Sequence, residues 1–324
     1  MSVASAGSSA ASSPASSSAS GYATQRIAII APGGYDADPE RQKRAEAYFT
    51  RRGHRVMMAP EAETPHLRFS DCDAARLAAI ERVVSDPAID LVMALRGGYG
   101  LTRLLPALDF NAIATSIRRH GKRFVGHSDF TAFHLALLAS SSAISFAGPM
   151  ASYDFGGEEV DPFTEEHFWR AMSGSHDTIE FDVAHADLAT EGILWGGNLA
   201  MICSLLGTPW LPRIQGGILF VEEINEHPYR VERMLLQLLQ AGVLDRQSAL
   251  LCGDFSNYRL SDYDNGYDLD AAFDYVRSVA AVPVVRGLPF GHCPKKLTLP
   301  IGGMAQVAIA DGRCRLDLAW DLRT

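Results

Sequence analysis

The chain has no run of apolar residues near the roughly 18 to 20 that a membrane-spanning helix requires. Nor does positive charge dominate: 29 Lys and Arg stand against 38 Asp and Glu, a net charge of −9. With the two signs interspersed, no basic stripe is left for nucleic acid and no polybasic patch for a membrane surface. Cysteine is sparse, and the five residues (72, 203, 252, 293 and 314) show no C-x-x-C spacing. This argues against zinc and favours buried free thiols in a reducing compartment. Residues 1–24 are dominated by a Ser/Ala/Gly run with neither a positive n-region nor an apolar h-region, so they read as a disordered tail and not as a secretory signal. The expected location is the cytoplasm.

What is present is ample apolar material: 324 residues, 47% of them hydrophobic, with a mean hydropathy of +0.01. That supports a large core and two domains. From Arg26 onward, short apolar runs alternate with amphipathic ones. Strands are expected at 26–31, 54–59, 90–95, 123–126 and 143–148, with helices opened by Asp38-Pro39 and spanning 70–85, 109–120 and the stretch after Ser128. Such alternation implies right-handed crossovers and a doubly wound parallel sheet over residues 25–152, with reactive loops at the carboxyl ends of its strands. Residues 153–188 read as an irregular linker. Beyond them, strands at 216–224 and 248–255, helices at 228–242 and 268–280, and a terminal hairpin turning at Asp311-Gly312 predict a smaller, strand-rich, mixed α/β domain over 189–324.

Ser128 follows the strand 123–126 through Gly126-His127 and leads straight into a helix. A sharp strand-to-helix turn lifts a hydroxyl clear of the sheet and aims unpaired helix N–H groups at any negative charge that forms there. Ser followed by Asp is also ordinary helix capping, and the local pattern admits both readings. A serine nucleophile needs a base and a group that orients the base. His292, in Gly291-His292 after an apolar run, sits at a strand end; His127 should point away from Ser128, and His134 should pack. Glu222 and Glu223 end the apolar strand Ile218–Ile224, and strand alternation turns them to opposite faces, so one is expected in the site and the other in solvent. Arg96-Gly-Gly-Tyr-Gly100 lacks the spacing of a phosphate loop but offers close backbone approach to a ligand. The N–H after the nucleophile, that of Asp129, would complete an oxyanion hole. Asp262–Gly266 fails as a calcium loop, because its Gly falls one position early.

Taken together, the blocks Leu95-Arg-Gly-Gly-Tyr-Gly100, Gly126-His-Ser-Asp129, Ser145–Pro149, Gly192–Leu199, Glu222–Arg230 and Gly291-His292 resemble the LD-carboxypeptidases, in order and from about residue 26 to the end. Within that family the chain looks nearest the cytoplasmic enzymes of Gram-negative bacteria that act on murein tetrapeptides. The resemblance implies an N-terminal α/β domain and a smaller C-terminal one, with the active site between them. It implies Ser128, Glu222 and His292 as a catalytic triad, and Gly98 and Asp129 as oxyanion donors. It also implies cleavage between meso-diaminopimelate and the terminal D-Ala in cell-wall recycling, a homodimer, and no metal or organic cofactor. Glu223 departs from the Asp that is common there. Arg96, Tyr99, Trp195, Asn198 and Arg230 are the candidates for substrate contact, the two arginines because a guanidinium pairs bidentately with a carboxylate. A microcin-immunity-type peptidase of the same fold and a non-catalytic nucleotide-binding module are the rival readings. An α/β-hydrolase esterase is weakened by Phe130, where its elbow needs Gly.

Overall fold

Residues 23–324 are described by the structure, a computed structural model; the expected tail, but for its last two residues, lies outside them. Through the first half, strands and helices alternate as the spacing predicts: β1 (Arg26–Ile30), α1 (Pro39–Arg51), β2 (Arg55–Met58), α2 (Asp73–Ser85), β3 (Leu91–Ala94), α3 (Phe110–His120), β4 (Arg123–Gly126), α4 (Thr131–Ser141) and β5 (Ser145–Ala147). Local chemistry sets the ends. Asp38 caps α1 by accepting from the Arg41 N–H, with Pro39 at the first helical position. Asp109 caps α3 in the same way, and Gly121 closes that helix in the left-handed region.

The stretch expected to be a linker is instead ordered. It carries α5 (Pro162–Ser173) and β6 (His176–Asp182), whose charge disguises a strand of period two. Then follow β7 (Leu188–Asn198), α6 (Leu199–Ser204), β8 (Gly217–Ile224), α7 (Pro228–Gln240), β9 (Gln247–Ser256), α8 (Leu269–Val279), β10 (Val284–Arg286), β11 (Leu299–Ile301), β12 (Met304–Ala310) and β13 (Arg313–Ala319).

Two sheets result. The first runs β2-β1-β3-β4-β5 in parallel, with β11 added antiparallel beside β5. Chain direction across the sheet reverses between β1 and β3, so the loops after those strands diverge and open a crevice at the carboxyl edge. The second sheet has the order β10-β9-β8-β7-β12-β13-β6, parallel from β10 to β7 and antiparallel beyond. Its long strand β7 serves both regimes: Leu188–Ile193 pairs with β12 and Leu194–Asn198 with β8. The two units are therefore not successive blocks of chain, since 299–301 returns to the first sheet.

The seam between the sheets runs directly behind Ser128. Gly197, at φ 133°, is pressed against the side chain of Thr131, where any Cβ would collide. The Asn198 N–H donates to Thr131 Oγ1 at 3.0 Å. Further along, Lys296 Nζ lies 2.9 Å from Asp154 Oδ1, both side chains almost wholly buried. Thr164 Oγ1 donates to the Pro294 carbonyl and accepts from the Lys296 N–H. Removing one partner of a buried pair strands the other charge. Lys296→Met should lower unfolding stability by about 3 kcal/mol in urea titrations, and Lys296→Met/Asp154→Leu should recover part of that loss.

Candidate active site

Ser128 is held at φ 61°, in the left-handed region that a β-substituted residue occupies at a cost of about 1–3 kcal/mol. A short 3₁₀ turn over Ser128–Phe130 then feeds α4, and the Phe130 N–H donates to the His127 carbonyl. Phe130 lays its ring over Gly126, which is how this elbow turns without a second glycine. Across the crevice, a Cβ on Gly97 would fall 2.7 Å from Ser128 Cβ and 3.0 Å from Ser128 Oγ. Only a bare backbone can come that close. The loop carrying Gly97 and Gly98 is fixed from behind by the Gly34 N–H, which faces the carbonyls of both at 3.3 and 3.2 Å. It is fixed from the side by Arg76, a fully buried guanidinium that donates to the Pro32 and Gly100 carbonyls.

Asp129 closes this frame. Its buried carboxylate accepts the Leu101 N–H at 2.9 Å, tying the residue after Ser128 to the end of the glycine loop. Burial pushes its pKa up to about 6, against the opposing pull of the Leu101 and Gly100 amides. The two backbone segments expected to bind an oxyanion, at Gly98 and Asp129, are thus mechanically linked.

Glu222 and His292 come from the second sheet. Glu222 is at the end of β8, wholly buried, and His292 Nδ1 lies 2.7 Å from its Oε2. The loop bearing His292 is seated against the end of β9, where the Asp254 N–H donates to the Phe290 carbonyl. The His127 ring, to which the sequence assigns no role, joins this cluster. It is buried between Phe290 and His292, with ring centroids 4.4 Å apart for the two histidines. The donor atoms of His127, Glu222 and His292 all lie within 4.8 Å of one another, a set whose chemistry suits zinc. The 2.7 Å contact, however, is the length of a hydrogen bond between two of them, with the proton in place of any ion.

Residues 27–148 match the LD-carboxypeptidase N-terminal domain and residues 191–307 the LD-carboxypeptidase C-terminal domain. The chain belongs to the LD-carboxypeptidase family. A Bacillus subtilis protein named "Probable murein peptide carboxypeptidase" is 31% identical over 290 residues, covering 88% of this chain and 89% of that one. The crystal structure of muramoyltetrapeptide carboxypeptidase from Oxalobacter formigenes is 48% identical, with a TM-score of 0.85 over 92% of this chain and 99% of that chain. The microcin C7 self-immunity protein of Escherichia coli is 26% identical over 264 residues, 70% of this chain and 73% of that protein.

As an LD-carboxypeptidase, the chain distributes its other expected contacts unevenly. Arg96 is exposed; its Nη1 donates to the Tyr35 carbonyl at 2.6 Å and its Nη2 hangs close over Gly98. Tyr99 is half exposed beside Phe69. Arg230 is engaged by Glu226 at the surface. Trp195 is fully buried with its indole N–H on Gln247, so it has no surface to offer a substrate. Asn198 is likewise occupied, capping α6 and donating to Glu223. Glu223 is not solvated as expected: it is buried and accepts from Asn198, the Ala200 N–H and the Ile224 N–H. His134 packs as expected, with its ring nitrogens on Ser145 Oγ and the Gly126 carbonyl. All five cysteines are free, but only Cys252 and Cys314 are buried and Cys72 is exposed.

The raised Asp129 pKa has a signed consequence. Between the unfolded value near 3.9 and the folded value of about 6 the folded chain holds the extra proton, so this group's contribution falls as pH rises through that window. Urea titrations from pH 4 to 7 should show Asp129→Asn gaining about 2 kcal/mol on the wild type across that window. Parallel curves would place the Asp129 pKa near its ordinary value.

Proposed function

We propose that this chain is a serine carboxypeptidase that removes the terminal D-Ala from murein tetrapeptides by hydrolysing the L,D bond after meso-diaminopimelate. The observation that carries this reading is the 2.7 Å contact of buried Glu222 with His292, together with a serine held in a strained elbow. His292 takes the Ser128 proton as the hydroxyl attacks the scissile carbonyl, then returns it to the departing amine. Glu222 holds the imidazole tautomer and stabilises the imidazolium. The N–H groups of Gly98 and Asp129 receive the oxyanion, in a frame that needs no reorganisation as charge develops. Water then resolves the acyl-enzyme by the same steps in reverse roles.

The substrate is assigned on the names carried by the Bacillus subtilis and Oxalobacter formigenes proteins, the second of which is nearly half identical over almost the whole chain. The weaker likeness to the microcin C7 self-immunity protein supports a second reading, cleavage of a peptidyl-nucleotide amide, that uses the same groups. Among the described residues no helix is long and apolar enough to cross a membrane. Together with five free thiols, this supports action in the cytoplasm on peptides recovered from the wall. Ile193 and Met304, exposed neighbours across β7 and β12, are surface that a second copy would cover in a homodimer.

Incubation with free and muramyl tetrapeptides should release D-Ala, and Ser128→Ala should lower kcat by at least about 10³-fold; no release by the wild type would overturn the assignment. A carboxypeptidase must also hold a free carboxylate, and Arg96, poised over Gly98, is the fixed cation for it. Losing a charge-assisted contact costs about 1.5–3 kcal/mol, so Arg96→Met should raise KM by roughly ten- to a hundredfold with a smaller change in kcat.

A further inference from the structure

Two buried groups in the site lack partners. Glu222 is wholly buried, yet its Oε1 receives no hydrogen bond, the contact with His292 using only Oε2. Neither ring nitrogen of His127 has a hydrogen-bond partner, although the side chain is 1% exposed. These orphans face each other: His127 Nε2 is 3.7 Å from Glu222 Oε1. That is longer than a formed hydrogen bond. Unsatisfied buried carboxylate and imidazole atoms are each costly, and one small movement satisfies Oε1 and Nε2 together, leaving only Nδ1.

We propose that His127 is a positioning residue, a neutral imidazole that gives its Nε2–H to Glu222 Oε1 while His292 holds Oε2. This rests on the triad proposed above. Gripped from both sides, the carboxylate cannot rotate about its terminal torsion, so its bond to His292 keeps one geometry as the imidazole gains and loses a proton. A cationic His127 would instead compete with His292 for the carboxylate. Burial and the nearby positive groups prevent this, holding the His127 pKa well below its ordinary value. The charged and titratable groups facing it are Lys296, itself paired with Asp154, then His292 and His134, with Glu222 opposite.

Three substitutions separate this role from simple space-filling. Gln places an amide N–H near the position of Nε2; Phe keeps the ring volume and its packing on Phe290 without a donor; Asn is too short to reach. The readouts are kcat and KM on tetrapeptide, and the rate at which a fluorophosphonate reagent labels Ser128, which does not depend on the natural substrate. His127→Phe and His127→Asn should each lose about tenfold or more in kcat and in labelling rate with KM little changed, and His127→Gln should recover most of it. Phe matching the wild type, or outperforming Gln, would overturn the proposal. Nitrogen NMR of histidine-labelled wild type gives a check free of folding effects: His127 should be neutral and protonated at Nε2 at pH 7, and the Nδ1–H tautomer or an imidazolium would overturn it. Absence of D-Ala release alongside normal Ser128 labelling would strike only the substrate assignment.

Discussion

The registration of one sheet against the other is the constraint on which the rest of this molecule depends. Ser128 and the glycine loop belong to the first sheet, whereas Glu222 and His292 belong to the second. In the proposed mechanism a proton passed between Ser128 and His292 crosses this seam, so slippage of about 1 Å there would weaken the reaction. The chain pins the seam with backbone and buried groups that have little freedom to relax. Gly197 lies against Thr131 three residues after the nucleophile, β11 returns to pair with β5, and Lys296 reaches Asp154 away from water.

The adjacent acids Glu222 and Glu223 show how strand alternation divides labour. Both are buried, so neither is an exposed strand end. Facing one way, Glu222 meets His292; facing the other, Glu223 accepts two backbone N–H groups and the Asn198 amide at the start of α6. Burial pushes the Glu223 pKa up and its hydrogen bonds oppose that, so the carboxyl is held by donors and not by a counter-charge. An Asp at this position would be one methylene shorter, and its reach to the Ala200 N–H would have to be made up by backbone movement.

Much of this was legible before any coordinates. The alternation of strands and helices to residue 148 follows from patterns visible in the chain, and the contact of Glu222 with His292 is what the family resemblance implied. What was not legible has identifiable physical causes. The strand His176–Asp182 alternates correctly, but its buried positions include Asp177, which hides the apolar face. The return of 299–301 to the first sheet depends on contacts remote in sequence, which periodicity does not record. Trp195 and Asn198 stand in a motif close to the site, and nearness in sequence suggested substrate contact; burial in one case and helix capping in the other give them different work. His127 was missed because its neighbours, Phe290 and His292, are remote in sequence and no local pattern records them.

The left-handed turn at Ser128 explains why so many costly features crowd into a few residues. A left-handed serine, a carboxyl of raised pKa at Asp129, a fully buried Arg76 and an uncompensated oxygen on Glu222 each oppose folding. Their common effect is to fix backbone N–H groups and one carboxylate in advance, as the proposed oxyanion-binding role requires. The large core of both sheets supplies the stability against which these local costs are set.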